Sequence, residues 1–236
     1  MATIVLSPHT LAKDRSDIKA EVESSNTVGY TKVNLIAGYN IVGQSFAKVS
    51  GGATSIQNVL VDGLDGDGND TMRIWDGSKY DTYYYYSAEA LESDKGGWGD
   101  PDGELYDGEN DVIEPGTGFW ILSSNIATVT ILGQVPATTE VTLSQGYNLV
   151  CAPQPVELDI QDIEAEGLDG DGNDTMRIWD GSKYDTYYYY SAEALESDKG
   201  GWGDADGELQ TVSIPAGSGF WVISSGAATL SFPDAL

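Results

Sequence analysis

Apolar residues in this chain recur in short alternating runs, broken by Gly-, Asp- and Asn-rich punctuation, and nowhere with the spacing of a long amphipathic helix. Thr31 to Leu35 and Tyr39 to Phe46 flank Ala37–Gly38 and predict a hairpin, and Glu140 to Leu143 and Tyr147 to Cys151 do the same around Gln145–Gly146. Met72 to Trp75 and Tyr80 to Tyr86 are joined through Asp76–Gly77, a dipeptide suited to the positive φ angles of a tight hairpin turn. Phe119 to Leu122 and Ala127 to Leu132, around Ser123–Ser124–Asn125, predict a further hairpin, copied by Trp221 to Ile223 and Ala228 to Phe232. Ile56 to Val61 and Leu158 to Ala165 leave room for a helical turn.

The pattern occurs twice. Residues 167–209 repeat residues 63–105 at an offset of 104 with one change, Pro101 to Ala205. Gly38, Tyr39 and Asn40 match Gly146, Tyr147 and Asn148, and residues 116–124 match residues 217–225. The offsets there are 108 and 101, so small insertions and deletions separate the blocks, as surface loops permit. The expected fold is all-β: two homologous small β-sandwich or barrel modules in tandem, spanning 27–134 and 135–236, behind an N-terminal extension, 1–26. That extension has a short β-prone run, Ala2 to Ser7, and three basic against four acidic residues. Its near-neutral charge suits either strand exchange with a neighbouring subunit or a terminus docked on its own chain.

Within each module a G-Y-N opening, a W-D-G-x-x-Y hairpin, a G-W element and a closing PGTGFW or PAGSGFW follow in order. This ordered set resembles β-modules of bacterial exported and surface proteins, which carry a G-[WFY]-N-L opening and a P-G-x-G-[FY]-[WF] closing strand. The resemblance covers nearly all of the chain beyond the N-terminal extension. It implies a β fold, an extracellular or cell-surface setting and an accessory or structural role, with no catalytic residues to carry over. The second closing motif departs from the pattern where Ala216 separates Pro215 from Gly217.

Charge narrows the partners. Thirty-eight Asp and Glu against 11 Lys and Arg give a formal net charge of −27 in 236 residues. Such a surface repels phosphate backbones and anionic membranes, which argues against nucleic acid as a partner. No apolar stretch reaches the roughly 18 residues that a membrane-spanning helix needs. Cys151, the single cysteine, cannot form an intramolecular disulfide and follows the apolar pair Leu149–Val150, which predicts a buried thiol.

Two clusters are candidate sites. Asp65, Asp67, Asn69 and Asp70, with their copies Asp169, Asp171, Asn173 and Asp174, alternate oxygen side chains with glycine and could wrap Ca²⁺. The full EF-hand pattern fails, because Asp70 stands where its tight turn needs glycine, so a looser Ca²⁺ loop and a metal-free Asx-rich turn both stay open. The second cluster is Tyr83, Tyr84, Tyr85 and Tyr86 with Trp98, and its copy Tyr187, Tyr188, Tyr189 and Tyr190 with Trp202. Alternation along a strand sends two tyrosines of each run to either face. The outward pair, with the tryptophan, could stack on sugar rings, meet another subunit, or simply pack across strands. In the aromatic pairs Phe119–Trp120 and Phe220–Trp221 at least one member is expected in the core.

Enzymatic chemistry has little to build on. His9 is the only histidine and lies outside both modules, so neither module can assemble a Ser–His–Asp or Cys–His set. No phosphate-binding Gly-rich lysine loop occurs. The expected function is therefore a non-enzymatic structural subunit that self-assembles with copies of itself into an extracellular filament, tube or surface layer, with Ca²⁺ as the candidate cofactor. The alternative is a carbohydrate-binding or adhesin module whose partner is a polysaccharide.

Overall fold

The computed structural model describes residues 27–49, 51–107 and 110–234. The expected N-terminal extension, with Ala2 to Ser7 and His9, lies outside them. The first repeat contains β1 (Val28–Leu35), β2 (Gly38–Gly43), β3 (Thr54–Ser55), β4 (Leu60–Asp62), β5 (Asp67–Trp75), β6 (Tyr80–Tyr86), β7 (Gly97–Gly99), β8 (Val112–Ile113), β9 (Gly118–Ser123) and β10 (Ala127–Gln134). The second contains β11 (Glu140–Leu143), β12 (Gly146–Cys151), β13 (Leu158–Asp159), β14 (Glu164–Glu166), β15 (Asp171–Trp179), β16 (Tyr184–Tyr190), β17 (Gly201–Gly203), β18 (Ser213–Ile214), β19 (Gly219–Ser224) and β20 (Ala228–Ser231). The chain is all-β. Among the described residues the helical turns are two short 3-10 turns, Ile56–Asn58 and Ile160–Asp162.

Each repeat builds a five-stranded antiparallel sheet, ordered β2-β9-β5-β6-β7 or β12-β19-β15-β16-β17. Each also builds a three-stranded sheet, β1-β10-β4 or β11-β20-β14, and a two-stranded ladder, β3-β8 or β13-β18. A repeat's own core lies between its two larger sheets: Leu35, Val129 and Ile131 from the smaller meet Val42, Met72, Phe119 and Ile121 from the larger. Strand β10 alternates buried and more exposed positions, as a sheet with one wet face should. Strand β9 does not: Phe119, Trp120 and Ile121 are all buried. Its second face is covered by the other repeat.

That contact shapes the architecture. The four larger sheets form a four-bladed, propeller-like arrangement, and the chain does not divide clearly into the two tandem sandwiches or barrels that the sequence suggests. The repeats are joined by hydrogen bonds in reciprocal pairs. The Gly43 amide donates to the Gly217 carbonyl at 2.8 Å, and the equivalent Cys151 amide donates to the Gly116 carbonyl at 2.9 Å. Bridges Val42↔Ser218 and Thr117↔Val150 form a second such pair. Equivalent residues exchanging the same contacts is the signature of a twofold, isologous interface, here made within one chain.

Two of the three hairpin types expected from sequence are corners between sheets. Strands β1 and β2 pair with β10 and β9, not with each other, and β9 and β10 belong to different sheets. The Asn40 side chain forms the first corner: its Oδ1 accepts from the Ile36 amide at 3.0 Å, and its Nδ2 donates to the Ile36 carbonyl at 2.9 Å. Asn148 does the same with Ser144. The asparagine of the G-Y-N motif thus satisfies the backbone where the chain leaves one sheet for the other. The β5–β6 hairpin forms as expected through Asp76–Gly77, Asp76 accepting from the Ser78 and Lys79 amides. At the second closing motif Ala216 takes the place of Pro115. The turn is kept, since the Ser218 amide donates to the Pro215 carbonyl as the Thr117 amide does to that of Glu114.

Gly43 and Cys151 occupy equivalent positions and face each other across the pseudo-twofold. A Cβ on Gly43 would lie 2.3 Å from the Cys151 Cβ, so only one of the two positions can carry a side chain. The Cys151 thiol is fully buried there, and burial pushes its pKa up to about 12. Gly43→Ala is expected to destabilise the chain by about 2 kcal/mol through overpacking. The double variant Gly43→Ala/Cys151→Gly, which moves the side chain to the other side of the axis, is expected to recover most of that loss in urea denaturation.

Candidate functional site

Antiparallel register assembles the outer face of each five-stranded sheet. Arg73 lies opposite Thr82 on one side and Trp120 on the other; Trp75 lies opposite Tyr80, and Ile41 opposite Trp120. Alternation then puts Tyr39, Ile41, Arg73, Trp75, Tyr80 and Trp120 on the face opposite Met72 and Phe119. Tyr147, Leu149, Arg177, Trp179, Tyr184 and Trp221 form the same set in the second repeat.

The two faces meet. Ile41, Trp120, Leu149 and Trp221 form a buried inter-repeat cluster, with Trp75, Trp179 and Ile223 packed against it. The Trp75 indole N–H donates across the junction to the Tyr147 carbonyl at 2.9 Å, and the Trp179 indole N–H donates to the Tyr39 carbonyl at 2.9 Å. Trp75 packs on Trp221 at 5.9 Å between ring centroids and Trp179 on Trp120 at 5.7 Å, both edge-to-face, a geometry worth about 1 kcal/mol per pair beyond burial.

Above this cluster lies a twin cleft. One cavity of about 340 Å³ is walled by Trp75, Tyr80, Tyr147, Arg177, Tyr184, Trp221 and Ile223. Its counterpart, about 280 Å³, is walled by Tyr39, Arg73, Tyr80, Trp120, Trp179 and Tyr184. Tyr80 and Tyr184 line both, so the cavities adjoin, and each needs residues of both repeats. Tyr39, Tyr80, Tyr147 and Tyr184 are between 38% and 54% exposed, which leaves aromatic surface open to solvent in an otherwise apolar recess.

The electrostatics of the cleft invert those of the chain. No wall residue is Asp or Glu, and each cavity contains one guanidinium. Among the described residues the ion pairs are Lys79–Asp81 and Lys183–Asp185, so neither Arg73 nor Arg177 is neutralised by a carboxylate. The Nε of each is buried without a hydrogen-bond partner. The Arg73 guanidinium lies 5.8 Å from the centre of the Tyr39 ring, within cation–π range. Burial raises the Tyr80 hydroxyl above its ordinary pKa, with the Trp120 indole and the Arg73 charge acting against it. Tyr184 is raised in the same way, opposed by Trp221 and Arg177.

The residues singled out from sequence lie elsewhere. Trp98 and Trp202 are 1% and 0% exposed and belong to the two cores, so neither is a stacking platform. Tyr83 and Tyr85 pack against the first core and Tyr187 and Tyr189 against the second. Tyr86 and Tyr190 donate to the carbonyls of Pro101 and Asp204, and Tyr84 and Tyr188 lie opposite Thr71 and Thr175. None of the eight lines the twin cleft. The walls of the cleft have a signal in the sequence. In W-D-G-x-x-Y the tight turn sets Trp75 opposite Tyr80, and both modules place their sole arginine two residues before that tryptophan.

The Asp-rich segment is a β-bulge at the start of β5, with a register shift between Asp67 and Thr71. Gly68 has φ +79, and a Cβ there would strike the Tyr86 ring at 2.7 Å. Asp65 accepts from the Asp67 amide and the Asn69 amide group. Asp70 is fully buried and ties the bulge to the β9–β10 corner: it accepts from the Asp65 amide at 2.7 Å and from the Ser124 amide and hydroxyl at 2.7 and 2.6 Å. Asp169, Asp171, Asn173 and Asp174 repeat the arrangement, with Ser225 in place of Ser124. Among the described residues no three or more His, Cys, Asp or Glu side chains are grouped to hold a metal ion.

Comparison of the chain with known protein families, with curated proteins and with solved structures finds no match. No helix among the described residues is long and apolar enough to cross a membrane. The chemistry of the cleft is therefore read from its own geometry.

Asp70→Ala would take the acceptor from two part-buried amides and a hydroxyl, at about 1–3 kcal/mol for each group that water does not reach. A loss of about 3 kcal/mol in urea denaturation is expected, with Ser124→Ala costing less because the Ser124 amide keeps its carboxylate. Equal losses for the two variants would contradict the role given to the carboxylate.

Proposed function

We propose that this chain is a non-catalytic binding module that holds a saccharide in the aromatic cleft between its two repeats, in the extracellular or cell-surface setting that its sequence resemblance implies. The observation carrying this reading is the pair of adjoining cavities walled by Trp and Tyr, each with one guanidinium and no carboxylate. A pyranose ring presents a flat face of C–H groups that packs on the electron-rich face of an aromatic ring, while its hydroxyls bond to polar groups at the edges. Cavities of about 300 Å³ lie at the lower end of the range for small-molecule sites, the size of a few sugar units when two adjoin. Glycoside cleavage needs two flanking carboxylates, and the walls provide none, which supports binding without turnover.

Self-assembly into a filament, tube or surface layer is the second reading. The three-residue strand β4, at the edge of its sheet with Leu60 49% exposed, offers an open edge for another chain. Divalent cations enter that reading as counterions to the net charge of −27.

Affinity electrophoresis in gels containing neutral and acidic polysaccharides separates the two. The saccharide reading expects retardation in at least one gel, reduced at least tenfold in apparent affinity by Trp75→Ala or Trp179→Ala. Unretarded migration throughout, with sedimentation showing growth into polymers, would transfer the assignment to self-assembly.

A further inference from the structure

The charge distribution narrows the ligand, on the premise that the cleft binds saccharide. In a chain with 38 acidic residues, Arg73 and Arg177 are the only charged groups lining the twin cavities, one in each. Both are half-buried, both make no ion pair among the described residues, and both keep an Nε–H without a partner. Holding a guanidinium partly out of water without a carboxylate is unfavourable, and this chain does so twice at equivalent positions. Planar guanidinium groups match carboxylates through paired, charge-assisted hydrogen bonds. The aromatic walls take the ring to which such a carboxylate is attached.

We infer that the ligand is an acidic saccharide, an oligomer of uronic acid units, with one ring carboxylate on Arg73 and a second on Arg177. The cavities adjoin at Tyr80 and Tyr184, so one oligomer laid across these two side chains would reach both. The pseudo-twofold relation means that the cavities meet the oligomer in opposite senses, so each reads a carboxylate and a ring face rather than chain direction. Net charge sets a further condition. At long range the chain repels any polyanion, and salt screens that repulsion over about 8 Å. The guanidinium contacts, sheltered by aromatic rings, are screened less. Capture of an acidic oligomer should therefore hold or strengthen from low to physiological salt, opposite to the usual weakening of ion-pair binding.

The test is calorimetric titration of the full chain with oligouronates of several ring stereochemistries, and with the methyl esters of the same oligomers, which keep the rings and remove the charge. At least one oligouronate is expected to bind, and its ester at least tenfold more weakly. Arg73→Gln and Arg177→Gln should each weaken oligouronate binding about tenfold or more, and weaken ester binding by a smaller factor, since the ester offers the guanidinium no charge. Arg73→Lys, which keeps the charge but not the planar fork, should fall between. Thermal unfolding of each variant separates lost contact from lost fold. If acid and ester bind equally and the glutamine variants bind as the parent does, the acidic ligand is refuted while the saccharide cleft stands. Binding of neither, with folded protein, refutes the acidic ligand, and the saccharide cleft falls with it only if gels of neutral polysaccharide also leave the chain unretarded.

Discussion

The reciprocal packing of one repeat on the other is the constraint from which the rest follows. Each five-stranded sheet buries one face in its own core and part of the other against its counterpart, which is why β9 and β19 carry Phe–Trp pairs buried on both sides. Phe119 and Phe220 serve the separate cores; Trp120 and Trp221 serve the junction. Because the repeats are equivalent, the main junction contacts are made twice, and the recess where they meet forms in duplicate. At the pseudo-axis equivalence breaks: Gly43 and Cys151 approach so closely that their side chains must differ.

Much of the fold was legible from local chemistry. The all-β character, the repeat, the 3-10 turns and the Asp76–Gly77 hairpin all express short-range preferences of backbone and side chain. The corners were not legible. A turn from β1 to β2 and a hairpin turn use the same glycine-containing sequence, and partnership is decided by which sheet buries Val42 and Leu35, a long-range matter. That the repeats do not divide clearly into two tandem sandwiches has the same origin: nothing local distinguishes an outer sheet face bound for water from one bound for a copy of itself.

The aromatics that stand out in the sequence are not those that wall the cleft, for the same reason. Four consecutive tyrosines draw attention in a sequence, yet Tyr83 and Tyr85 pack inward, and Trp98 is held deep by the Gln57 side chain, which brackets its backbone. The cleft instead uses isolated aromatics from several strands, Tyr39, Trp75, Tyr80 and Trp120, which come together with their copies only when two repeats meet. The Asp-rich loops anchor a bulge to a corner through Asp70 and Asp174. Duplication thus made a recess that neither copy owns, lined with the only two arginines of the repeats.

Six tryptophans make this directly observable, four at the junction and two in the cores. Indole N–H resonances of the isotope-labelled chain, followed during titration with a bound oligosaccharide, should shift for Trp75, Trp120, Trp179 and Trp221 while those of Trp98 and Trp202 stay fixed. Shifts absent from the junction four, or equal across all six, would contradict a binding cleft built between the repeats.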